Sequence, residues 1–156
     1  MEFLAMAAET PLARALITSS TLYLLVNAAH ILGIGMLFGG ILALDLRLLG
    51  LAPVVPLAAI APYLSRLAGA GVLLAILTGL CLFSVRPLEY ARNPAFLAKL
   101  GFVALGLLNV AAVHFNSGWR AVLSGDAPTA ALRISAVFSI MIWISAVIAG
   151  RWIGFL

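Results

Sequence analysis

The chain has 156 residues, 65% hydrophobic and 9% charged, with a mean hydropathy of +1.21. Soluble domains are about 45–50% apolar and about 25% charged, and a soluble fold of this length leaves about a third of its unfolded surface exposed, so a soluble domain is excluded. Disorder and a disulfide scaffold are excluded too, since Cys81 is the lone cysteine, and the net charge of +4 comes from scattered single Lys and Arg rather than a nucleic-acid-binding cluster. What remains is an integral membrane protein.

A helix needs about 20 apolar residues to cross the hydrocarbon core. The first candidate span starts at Pro11 and runs to 44, an apolar stretch too long for a cleavable signal peptide. The second covers 64–85, entered by a helix from Pro56 with a kink at Pro62. The third covers 94–119 and the fourth 128–155. Thr10-Pro11, Asn93-Pro94 and Asp126-Ala127-Pro128 are start signals, because proline at the first helical position lacks only an N–H that would be unpaired there. The stretches lack the alternation of a barrel strand. The expected fold is therefore all-α, one domain over 1–156, an up-down-up-down four-helix transmembrane bundle with short connections. The side holding both termini carries Arg14, Arg86, Arg92, Lys99 and Arg151; the other carries Arg47, Arg66, Arg120 and Arg133. That near balance sets no orientation.

The chain has two histidines, and both fall inside spans. Counted from Pro11 and Pro94, His30 and His114 differ in depth by one residue, about 1.5 Å along a helix. Two imidazoles at one depth on parallel helices suit axial ligation of one haem iron. Gly33 and Gly118, three and four residues beyond each histidine, would let a flat macrocycle approach. Asn27, one turn before His30, would hold that ring's second nitrogen. Arg47 and Arg120, near the same level, would pair with propionates. Without Cys-x-x-Cys-His the haem would be of the b type, and with both axial positions filled it would transfer electrons. The structural alternative is a histidine pair hydrogen-bonding across the bundle. Asp45 and Arg47 read as an interfacial helix end with the arginine snorkelling to phosphates; the alternative there is a partner or a quinone head group. No phosphate loop, catalytic triad or paired carboxylate is present.

The segments His30-Ile31-Leu32-Gly33, Leu44-Asp45-Leu46-Arg47-Leu48-Leu49-Gly50, Thr78-Gly79-Leu80-Cys81-Leu82-Phe83, Tyr90-Ala91-Arg92-Asn93-Pro94-Ala95-Phe96 and Gly106-Leu107-Leu108-Asn109, with His114, span nearly the whole chain. In this order they resemble a family of small bacterial four-helix membrane proteins of unknown function. More distantly they are similar to the CopD membrane domain and to four-helix haem-b cytochromes, which implies histidines that hold haem or handle copper. Many such cytochromes carry more histidines than this chain does.

The expected function is a one-haem b-type cytochrome of the bacterial inner membrane, with His30 and His114 as iron ligands. It would pass electrons between the quinone pool and a redox partner. The alternatives are a cofactor-free interaction or anchoring subunit, and CopD-like copper handling. A chain with so little mass outside the bilayer is expected to form a homo-oligomer or join a larger complex.

Overall fold

The computed structural model describes residues 8–51 and 53–155. Among them, four helices are long and apolar enough to cross a membrane, and the chain is an all-helical, multi-pass membrane protein. The first helix is not one of the four. Helix α1 (Pro11–Thr18) starts as expected, with Pro11 in its first turn and the Thr10 hydroxyl accepting from the Ala13 N–H. At Ser19 the backbone turns extended, and the Ser19 hydroxyl caps a new helix by accepting from the Leu22 N–H. The first span, α2, is therefore Ser20–Leu48 rather than 11–44. Helix α1 lays Ala13 and Leu16 against the bundle as a separate element.

Helix α2 ends at Gly50, whose φ of 87° is the left-handed conformation that glycine adopts at least cost. The Gly50 and Leu51 N–H groups return to the carbonyls of Arg47 and Leu46, satisfying the last turn. Helix α3 (Leu57–Val85) starts seven residues earlier than the expected 64 and runs through Pro62 as one helix. A short helix α4 (Pro87–Arg92) leads to α5 (Pro94–Phe115), whose cap is the expected one: Asn93 Oδ1 accepts from the N–H groups of Ala95 and Phe96. Helix α5 ends at Phe115. The chain breaks at Asn116 and resumes as α6 (Ser117–Leu123), so the third span is four residues shorter than expected. Helix α7 (Ala130–Trp152) is capped by Thr129, not by the Asp126 signal, and a 3-10 turn (Ile153–Phe155) follows it.

The helices close through small residues, as membrane helices must when lipid is as apolar as their side chains. Helices α2 and α3 run antiparallel with their backbones in contact. A Cβ on Gly71 would come 2.4 Å from the Leu37 nitrogen, and one on Gly33 would come 2.8 Å from the Ala75 nitrogen. Helices α5 and α7 form the second pair, in which the Trp143 indole lies on bare Gly106. The pairs are joined by packing of α2 on α7 around Leu37, Ile41, Trp143 and Ala146. A second cluster of Leu44, Leu48, Ala61, Trp119 and Ala136 closes the end where α2 stops. The remaining side, between α3 and α5, is the loosest, and a stack of Phe83 on Phe96 at 5.6 Å bridges it near the end holding α4.

Candidate functional site

Each histidine is held by one ring nitrogen. His30 is half-buried on α2 and points to α3, where its Nδ1 lies 3.0 Å from the Thr78 hydroxyl. Thr78 directs its own proton back to the Leu74 carbonyl at 2.6 Å. The hydroxyl oxygen is thus left to accept, and Nδ1 carries the hydrogen. Gly79 makes room for the ring: a Cβ there would come 3.1 Å from His30 Cε1. His114 is exposed, with Nδ1 donating to the Val110 carbonyl of its own helix at 2.9 Å and its ring 5.0 Å from that of Trp119. In both residues Nδ1–H is fixed and Nε2 keeps its lone pair, the form in which imidazole binds a metal.

They do not share a level. Val113, beside His114, packs on the cluster that holds Leu48, the last residue of α2. His30 lies 18 residues before Leu48, which on one helix is roughly 27 Å. The proline count fails because Pro11 opens α1 instead of the span. One iron cannot take both ligands from this chain, and two copies inserted in parallel keep the same difference in depth.

The expected supporting residues are dispersed as well. Gly33 faces the backbone of α3, leaving no room for a macrocycle on that side. Gly118 belongs to α6, not to the helix of His114, and a Cβ there would meet Asn116 and Thr129. Asn27 is exposed, and the partner of the His30 ring is Thr78. Arg47 donates to the loop carbonyls of Leu51 and Val55, tying down the α2–α3 connection. Arg120 is exposed and lies with His114 at the far end from His30.

The end nearer His30 has its own polar surroundings. Tyr23, Arg86, Glu89, Tyr90, Arg92 and Asn93 line a cavity of about 1120 Å3 together with apolar residues of α1 and the C-terminal turn. Tyr23 lies on α2 seven residues before His30, so the imidazole is about two turns, roughly 10 Å, deeper than the cavity wall. Arg86 pairs with Glu89 at 3.3 Å in an exposed bridge. Burial, then the neighbouring Tyr23, pushes the Tyr90 hydroxyl above its ordinary range, with Arg86 partly opposing, so Tyr90 is a neutral donor there. Lys99 on α5 lies close enough to act electrostatically on His30, its stem runs along Gly150, and it has no carboxylate partner among the described residues. A lysine inside a span without a counter-ion is costly and marks a place where an anion is welcome.

Sequence reasoning missed Asp45. It is not an interfacial helix end: it is 6% exposed, inside the bundle, with the hydroxyl of buried Ser139 on α7 beside it. The signal was present in the spacing Leu37, Ile41, Asp45 and Leu48, which places the carboxyl on the buried stripe of α2. Lys99 was likewise read as a peripheral charge, although it lies well inside α5.

Residues 8–156 match the model of a family described as a family of unknown function (DUF6644), and the chain belongs to that family. No curated protein and no solved structure matches it. The wider resemblance to the CopD domain and to cytochromes gains no support from these comparisons.

Proposed function

We propose that this family member is a b-type haem protein of the bacterial inner membrane that passes electrons between the quinone pool and a redox partner. Its haem would sit at the end holding His30. The supporting observation is the imidazole itself: half-buried in a span, fixed by Thr78 through Nδ1, with Nε2 unused. The surroundings fit an amphipathic dianion, with Arg86 and Arg92 at the cavity about two turns above and, nearby, Lys99 without a carboxylate partner among the described residues. The propionate partners accordingly move from Arg47 and Arg120 to Arg86 and Arg92. Bound there, the haem would supply one-electron chemistry, and the protein would supply the imidazole, the cationic rim and the apolar walls. Copies related by a twofold axis along the membrane normal have their His30 side chains at equal depth, so a homodimer would supply a second imidazole to hold the group.

The test is a dithionite-reduced minus oxidised spectrum of the protein made with ample haem, compared with H30A and H114A. The reading requires b-type bands that disappear in H30A and persist in H114A. Absent bands, or bands lost only in H114A, refute it.

One observation favours a second reading, a cofactor-free interaction or anchoring subunit. The His30–Thr78 bond joins α2 to α3 and gives the histidine a structural role without any ligand. In that case H30A weakens the helix pair and no spectrum appears. Copper handling has less behind it: no group of three or more His, Cys, Asp or Glu side chains placed to hold a metal occurs among the described residues.

A further inference from the structure

Asp45 is a second candidate site, at the opposite end of the bundle from His30 and independent of any haem. Its carboxyl is 6% exposed, and its Oδ2 is buried with no hydrogen-bond partner. Among the described residues, the polar side chain brought to it from another helix is Ser139, itself 2% exposed. An unpaired carboxylate in a low-dielectric interior is costly, whereas the protonated acid can donate a hydrogen bond there. No charged group faces it among the described residues. Helix α7 presents Ser139. Helix α3 brings apolar Ala61 and Leu64, and α5 brings Val113, to the cluster formed by the neighbouring Leu44 and Leu48; α6 brings Trp119, whose ring lies 5.0 Å from that of exposed His114. On its own helix, Arg47 reaches to the loop carbonyls of Leu51 and Val55, and Arg66 and Arg133 on the adjoining helices are exposed. Polar groups are mismatched elsewhere at this depth. Trp143 Nε1, one turn along α7 from Ser139, and Ser65 Oγ, beside Leu64 on α3, are buried without partners.

We propose that Asp45, with Ser139, is a proton-binding site inside the membrane that exchanges with the surface where α2 ends. Asp45 lies three positions before Leu48 at that helix end, a rise of about 4.5 Å. Leu48, at 1% exposure, and Trp119, at 4%, close it. The ligand is a proton, and the event is uptake and release at one carboxyl oxygen. Such a site couples the charge state of α2 to its packing against α7, because the ionised form draws a donor or water into the seam and the neutral form leaves it dry.

The experiment uses the intact protein in lipid nanodiscs. A hydrophobic carbodiimide, which attacks protonated carboxyls, is added across a pH series, and the labelled residue is located by mass spectrometry. Infrared spectra in H2O and D2O accompany it. Labelling is expected at Asp45 and is lost in D45N. Above its midpoint it should fall about tenfold per pH unit, and S139A should move that midpoint. The wild-type protein should show a protonated carboxyl band that shifts in D2O and is missing from D45N. A band that never shifts in D2O would mean a sealed structural acid and overturn the proposal. So would the absence of labelling at every pH, or labelling suppressed by Na+ at constant pH, which would assign the site to a metal cation.

Discussion

The two ends of the bundle solve opposite problems. At the end holding His30, the polar groups are mostly cationic and open: Arg86 and Arg92 line a cavity with Glu89, and Lys99 has no carboxylate partner among the described residues. At the other end, the buried polar group is an acid, sealed by Leu48 and Trp119 and answered only by Ser139. The cationic end has the makings of a ligand site because Arg86 has only an exposed bridge to Glu89, Lys99 has no carboxylate partner among the described residues, and the arginines have space in front of them. The acid at the other end is buried beneath Leu48 and Trp119, which suits it to the smallest ligand, a proton. The contrast depends on the α2–α3 and α5–α7 pairs keeping their register, so the most disruptive test attacks that register.

G71L should do this most severely. Even a Cβ at that position comes 2.4 Å from the Leu37 backbone nitrogen, and backbone cannot yield as a side-chain tip can. Overpacking of this kind costs about 3 kcal/mol or more. The expected result is loss of folded protein on size-exclusion chromatography in mild detergent; a well-folded, unchanged G71L would mean that α2 and α3 do not meet at this crossing. G106V attacks the second pair by displacing the Trp143 indole, with an expected loss of about 1–3 kcal/mol read from thermal unfolding. The His30–Thr78 contact between α2 and α3 should stay intact if the pairs are independent.

How far the sequence foretold this division depends on the feature. The four spans were legible because about 20 consecutive apolar residues have one explanation, and Asn93-Pro94 fixed the start of α5. The depth of His30 was not, because the stretch from Pro11 to 44 reads as one span only if a helix runs through Thr18-Ser19-Ser20-Thr21, and the backbone breaks there. Ser19 is a capping residue, and that was the available clue. The direction of Gly33 was illegible for a different reason. A glycine has no side chain to show whether it faces a neighbouring backbone or a ligand, so only the partner helix decides. Asp45 was misread because nearness to a helix end was taken for nearness to water. The four-residue spacing from Leu37 and Ile41 pointed inward.

Two smaller effects sharpen the contrast at the His30 end. T78V removes the acceptor of the Nδ1 hydrogen and should cost about 1 kcal/mol of stability. If His30 is a ligand, it should also weaken haem binding by about 10–100-fold, measured by titrating haem into apoprotein. A stability loss with unchanged haem affinity would make Thr78 a packing partner alone. R86Q breaks an exposed bridge to Glu89 and should change stability by no more than about 0.5 kcal/mol. Its effect should fall on haem retention instead, and retention equal to wild type would remove Arg86 from the site.

The division of labour between the ends is tested most directly by the reduced minus oxidised spectrum of the wild type beside H30A and H114A. The b-type bands should be abolished by H30A and untouched by H114A, since the two imidazoles lie far apart along the bundle. Bands abolished by both substitutions would return the histidines to one iron and contradict the register described for α2 and α5.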